Sequence, residues 1–297
     1  MIEFIKHSKI YFIIAAIITI ACIFFLLYFG LNLGVDFTGG SILRFEYVAD
    51  RPSIEEISAK VNQAGIASFS YKDLGEKGVI IKTKDITEDQ RKSLYETFYN
   101  DSNIDKDTLN FDKIGSAVGN ETKHKSIIAI IIALAAIIIY IAIAFNKVSR
   151  PVKSWKYGIV TMVILAHDII LPLGVLALLG KFASREFSIP TLTALFTILG
   201  YSVNNTIVVF DRVRENLIKK SGEFKDIVDV SINQSVSRCI NTSLTTLFPL
   251  IAIYVWGGES LKDFSLVLIL GILAGTYSAL LLAGPILTKW HALSRKR

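Results

Sequence analysis

The chain has 297 residues, 52% of them hydrophobic, with a formal net charge of +6 and a mean hydropathy of +0.50. That apolar excess is more than a water-soluble domain of this length needs. The basic balance does not point to nucleic acid, because it is segregated. Residues 31–124 hold 16 acids and 12 Lys/Arg, a net of −4, against +10 for the remainder. Such a pattern reflects membrane topology and anionic lipid. Cys22 and Cys239 fall in separate apolar segments and give neither a disulfide framework nor metal-ligand spacing.

Six windows are long enough to cross a bilayer, which takes about 20 apolar residues as helix. They run Ile10 to Val35, Ser126 to Asn146, Tyr157 to Gly180, Phe187 to Phe210, Cys239 to Gly258 and Phe264 to Thr288. Only structures that satisfy every backbone group internally survive in hydrocarbon, so these are predicted helices. The first follows Lys6 and Lys9 but is long for a signal peptide, and no A-x-A-like site ends it. It reads as a retained anchor.

Orientation follows from Lys and Arg in short flanks. The segment NKVSRPVKSWK at 146–156 is basic with no acid. The loop 211–238 carries Arg212, Arg214, Lys219, Lys220, Lys225 and Arg238, and the C-terminus has Lys289, Arg295, Lys296 and Arg297. With six spans, these lie on the side of the N-terminus, so both termini are predicted cytoplasmic.

Residues 36–124 form the one predicted extracytoplasmic domain, between an N-terminal anchor at 1–35 and the helices and cytoplasmic loops of 125–297. SILRFEYV alternates and is rich in β-formers. Ser53 and Glu56 fit a capping box for a helix with Ile54, Ile57 and Val61 on one face, and Gly65 is its stop. ASFSYKDL and GVIIKTK read as strands joined by a Gly-containing turn. Thr87 caps a second helix bearing Leu94 and Phe98, and LNFDKIG closes as the last strand. Strand, helix, strand, strand, helix, strand is the ferredoxin-like order, so the domain is predicted α+β. It contains no nucleophile elbow, phosphate loop or metal cluster, which favours a binding or mechanical module over an enzyme.

Polar groups at membrane depth are costly and mark pathways or helix contacts. His167 and Asp168 stand in the third window. The fourth carries Thr193, Thr197, Gly200 and Asn204 on one stripe, with Asn205 about 100° further round, on the face of Ser202. The fifth opens with Arg238, followed by Asn241 or Thr242, Thr245 and Pro249 at helical spacing. Arg238 also fits a side chain snorkelling to the interface, and the threonines fit interhelical glue. In the sixth, Gly271 and Gly275 form a small-xxx-small face, expected to contact a partner. Asp211, Arg212, Arg214 and Glu215 suit local pairing at a helix end.

These motifs, taken in order, resemble the SecF family, the smaller membrane subunits of the SecDF protein-export complex. GLNLGVDFTGG at 30–40, LAHD, GYSVNNTIVVFDRVREN, RCINTSLTT at 238–246 and GGESLKDFSLVLILGILAGTYSALLLAGP at 257–285 carry the resemblance. IGSAVG at 114–119 matches more loosely. The resemblance covers essentially the whole chain. It implies six helices and a domain after the first. It implies pairing with SecD in a twelve-helix assembly like the resistance–nodulation–division transporters. It also implies ion-driven assistance to unfolded polypeptides leaving the SecYEG channel of the bacterial inner membrane, with no cofactor and no covalent chemistry. The family usually shows Asn-Asp where this chain has Asn204-Asn205, and that Asp, partnered by the Arg matching Arg238, is taken to bind the coupling ion. An amide at 205 cannot exchange a proton. Three readings stay open: an engineered substitution, a transfer of coupling to SecD, or a takeover by Asp168. The competing functions are a structural subunit that carries no ion and a half-transporter of the resistance–nodulation–division type. Asp168 adjoins His167, whose titration near neutral pH favours protons over sodium.

Overall fold

A computed structural model describes residues 2–84, 86–144, 152–219 and 221–295. Part of the basic segment 146–156, together with Lys220, Lys296 and Arg297, lies outside them. The chain divides into two compact units, one of residues 33–128 with 258–260 and one made of the rest.

The smaller unit opens with α2 (Val35–Thr38) and β1 (Gly40–Tyr47). α3 (Ile54–Gln63), β2 (Phe69–Leu74), β3 (Gly78–Thr83), α4 (Glu88–Tyr99) and β4 (Ile104–Ile114) follow. The strands form one antiparallel sheet in the order β2-β3-β1-β4. Alternation sends Leu43, Phe45, Tyr47, Val79 and Ile81 to one face. There they share a core with Ile57 and Val61 of α3 and Leu94 and Phe98 of α4. The Ser53 side chain accepts from Glu56 N–H, which is half of the expected box, whereas Thr87 and Gln90 complete a full one on α4. Gly65 ends α3 at φ +76°, as its position suggested. β4 begins earlier than the motif LNFDKIG, because a bulge opposite Arg44/Glu46 lets Ile104 reach Tyr47.

The GG pair of GVDFTGG has a steric cause. A Cβ on Gly39 would stand 2.6 Å from the backbone of Ser116, and one on Gly40 2.4 Å from the Thr83 carbonyl. Gly119 in turn would meet Gly39 N at 2.6 Å. Gly39 also sits at φ +73°, where side chains are strained. The two motifs 30–40 and 114–119 are therefore halves of one backbone contact.

The larger unit contains α1 (Ser8–Tyr28), α6 (Ser154–Phe182), α7 (Ile189–Lys219), α8 (Phe224–Trp256), α9 (Glu259–Ser278) and α10 (Gly284–Arg295), with a π-helical turn at Ala279–Ala283. α5 (Ser116–Ala144) enters it from the other unit. Among the described residues, six segments are long and apolar enough to cross a membrane: Ser8–Tyr28, Ser116–Ile141, Trp155–Phe182, Ile189–Lys219, Phe224–Trp256 and Leu261–Ser294. Two boundaries differ from the sequence reading. The first helix stops at Tyr28 rather than Val35, because Gly30 at φ +70° turns the chain. The expected loop 211–238 is mostly helical: α7 continues to Lys219 and α8 starts at Phe224. The charged residues that looked like loop composition pair at helical spacing instead, Arg212 with Glu215 at 2.6 Å and Lys219 with Glu215 at 2.8 Å.

Candidate functional site

Asp168 is fully buried in α6, and His167 is 9% exposed. A buried carboxylate needs donors, and three converge here. His167 Nδ1 lies 2.9 Å from Oδ1. Ser278 Oγ, the last residue of α9, donates to Oδ2 at 2.9 Å, and Ser202 Oγ of α7 donates to the same oxygen. The far side of the imidazole, Nε2, is bonded to the Tyr277 hydroxyl. With Asp168 ionised and His167 neutral, Nδ1–H donates to the carboxylate and Nε2 accepts from Tyr277 (the tautomer follows from its partners). Every member of the group then has a partner.

A second set of hydroxyls lies one residue away along the same helices. Tyr201 OH donates to Ser243 Oγ of α8 at 2.8 Å, and Ser243 and Thr276 Oγ1 of α9 are 2.6 Å apart. Together the two sets tie α6, α7, α8 and α9 in one polar layer. The small residues of α9 make this approach possible. A Cβ on Gly271 would stand 2.2 Å from Ile198 Cδ1, and one on Gly275 3.1 Å from Ser202 Cβ and 3.4 Å from Asp168 Oδ2. The Gly271/Gly275 face is thus spent on α7 of the same chain, and the expectation of a partner contact there is corrected.

The remaining polar positions separate by face. Asn205 is 1% exposed, and its Nδ2 has no hydrogen-bond partner among the described residues; neither has Thr206 Oγ1 beside it. Asn204 is exposed, as are Thr193, Thr197 and Gly200 of its stripe. On α8, Arg238, Asn241, Thr242 and Thr245 are exposed as well, and Arg238 makes no ion pair or hydrogen bond with Asn205 among the described residues. The interhelical-glue reading fails for Thr245 and Thr246: their hydroxyls turn back to carbonyls of their own helix, Thr245 to Asn241 at 3.0 Å and Thr246 to Thr242 at 2.9 Å. Ser243, on the neighbouring face, supplies the interhelical bonds. Ser278, Tyr277, Ser243 and Thr276 were absent from the sequence-based site; the signal for them is polarity inside otherwise apolar spans.

At the helix ends the ties are structural. Asn216 is buried and donates to Ser231 and Gln234 of α8 at 2.9 and 2.8 Å. Arg185, between α6 and α7, pairs with Asp263 of α9 at 2.9 Å. Among the described residues, no group of three His, Cys, Asp or Glu could hold a metal ion.

Span-length helices tied by a polar layer, with a small antiparallel-sheet unit after the first helix, define a multi-pass membrane protein. The family described as protein export membrane protein SecD/SecF, C-terminal, matches residues 94–293, and the SecD/SecF GG motif matches 24–50. The chain belongs to this family, on its SecF side. It is 36% identical to protein translocase subunit SecF of Thermobaculum terrenum over 98% of this chain and 94% of that one. It is 34% identical to that of Haemophilus influenzae over 95% and 83%. The crystal structure of SecDF from Thermus thermophilus, described as a translocon-associated membrane protein, superposes with a TM-score of 0.85 at 28% identity. The match covers all of this chain and spans 39% of that longer chain.

Proposed function

We propose that this chain pairs with a SecD subunit and uses an ion gradient to assist unfolded polypeptides leaving the SecYEG channel of the bacterial inner membrane. Both termini lie in the cytoplasm, and the sheet unit lies outside. The observation that carries the pairing is the exposure, within span-length helices, of Asn204 on the Thr193/Thr197/Gly200 stripe of α7 and of Arg238 and Asn241 on the Thr242/Thr245 stripe of α8. Polar groups that face neither water nor protein in a bilayer are expensive. A matching face on a second subunit would satisfy them.

The βαββαβ order and the β2-β3-β1-β4 sheet support a ferredoxin-like reading of the outer unit, which serves as a binding or mechanical module rather than an enzyme. Ion coupling is assigned to the region of Asp168, Asn204, Asn205 and Arg238. Because Asn205 carries no titratable group, the carboxylate work is left to Asp168 or to SecD. A structural role without ion coupling is favoured by the same amide, and it is separable. Export into membrane vesicles supplied with SecYEG, SecD and this chain should slow several-fold when the gradient is collapsed. Export that is aided by the chain but indifferent to the gradient would leave the structural role standing.

A further inference from the structure

Among the described members of the group around Asp168, Tyr277 is the least buried: Asp168, Ser202 and Ser278 are fully buried and His167 nearly so, while Tyr277 is partly exposed. Tyr277 meets His167 Nε2, the imidazole nitrogen turned away from the carboxylate. From these positions we infer that His167 and Asp168 form a proton-holding site buried in the helix bundle, loaded and unloaded at His167 Nε2 through the Tyr277 hydroxyl. The step from holding a proton to driving export rests on the ion-coupled reading above.

The chemistry balances within the group. In the unloaded state, Nδ1–H donates to Asp168 Oδ1 and Nε2 accepts the Tyr277 O–H. As a proton arrives at the Tyr277 oxygen, the hydrogen Tyr277 already carries passes to Nε2, and the hydroxyl, keeping the arriving proton, then accepts from Nε2–H. No other bond needs to break. The loaded state is an imidazolium–carboxylate pair with no net charge. The unloaded state leaves one negative charge in the bundle, compensated by the two serine hydroxyls and Nδ1–H. Loading therefore changes how strongly Asp168 holds Ser202 of α7 and Ser278 of α9.

Neighbouring elements bring few competing charges. α1 contributes Cys22, whose thiol donates to the Leu171 carbonyl at 3.6 Å. α7 contributes Ser202, and the π turn brings only alanine and leucine. On α10, Lys289 lies over Phe12 and His291 against Phe224. Arg238 of α8 is exposed. The turn at Ala279–Ala283 begins directly after Ser278, and π turns of this kind mark places where a helix shifts register. A change in the pull on Ser278 thus acts on a helix segment already out of α geometry. Asn205 Nδ2 and Thr206 Oγ1, buried and without a hydrogen-bond partner among the described residues, lie three and four residues beyond Ser202 and extend the polar face of α7 away from the carboxylate.

The test is ¹⁵N-histidine NMR of the full chain with its SecD partner in sealed lipid vesicles, beside gradient-driven export. The His167 signal is assigned by its loss in His167→Gln. It should change reversibly between a one-proton and a two-proton imidazole as the gradient is imposed and removed. In Asp168→Asn the Nδ1 signal should move, because the carboxylate oxygen that accepts its proton is gone. Tyr277→Phe should keep the change of state and slow the exchange of the imidazole proton. A His167 signal in one state throughout, or one that Asp168→Asn leaves unmoved, overturns the site. If Asp168→Asn does not assemble, exchange in Tyr277→Phe as fast as in the unaltered chain overturns it. If His167 changes state as expected but export ignores the gradient, the site stands and the ion-coupled reading falls.

Discussion

Asn204 and Asn205 are adjacent in sequence and opposite in burial: the first is exposed, the second is 1% exposed with its amide nitrogen unpartnered among the described residues. One step of 100° along α7 separates a residue that faces outward with the polar stripe from one that faces the bundle interior. The two amides therefore answer to different demands, although the motif presents them as a pair.

A carboxylate at 205 tests what the amide removed. Asn205→Asp should raise gradient-dependent export severalfold in vesicles with SecD, since a buried acid gains a proton that an amide cannot carry. Full gradient dependence in the unaltered chain after loss of SecD's acid would show that no carboxylate is needed at this position.

Gly271 leaves no room for a side chain. Gly271→Leu should lower the thermal stability of the purified chain, at a cost of about 1–3 kcal/mol for overpacking against Ile198. Gly271→Leu combined with Ile198→Ala should recover part of that loss. Unchanged stability of the single variant, with reduced recovery of SecD on co-purification, would return this face to the subunit interface.

In the sheet unit, Asp101 accepts from Lys60 Nζ and from the Asn103 backbone N–H. Burial pushes its carboxyl up, but those two donors outweigh it and hold Asp101 below the ordinary carboxylate range. A depressed value in the folded state means stability that is present above the unfolded value, about 3.9, and lost as pH falls through the folded one. The protection of the Asn103 and Ile104 amides against hydrogen exchange, taken relative to the intrinsic rate at each pH, should therefore fall on acidification, and Asp101→Asn should flatten that dependence. An equally steep acid response in the variant would assign it to other carboxylates.

Thr87 and Gln90 close both ends of a capping box at α4. Thr87→Ala should cost about 1 kcal/mol of local stability, read as faster exchange in the first turn of α4. Ser53→Ala, which breaks a one-sided cap on α3, should cost less.

Ser70 on the edge strand and Ser221 between α7 and α8 are both exposed. A cysteine at 70 should react with an impermeant thiol reagent from outside the cell, and a cysteine at 221 only after permeabilisation. The native Cys22 and Cys239 are buried and should contribute little background. The opposite pattern would invert the topology.

Sequence alone fixed what depends on local composition. Span-length apolar runs located six membrane-capable segments, because hydropathy is additive along the chain. Alternation and caps located the strands and helices of the sheet unit, and a fully apolar run containing His167-Asp168 announced a buried acid. Helix rotation was not legible. Helices that are apolar all round have no polar side to show which way they face, so Gly271 and Gly275 read equally well as an outer or an inner contact. The partners of Asp168, Ser202 and Ser278, are 34 and 110 residues away from it in sequence. No spacing rule reaches that far. Only the packing of α6, α7 and α9 brings those hydroxyls to one carboxylate oxygen, because the cost of burying its charge is met wherever donors happen to converge in space.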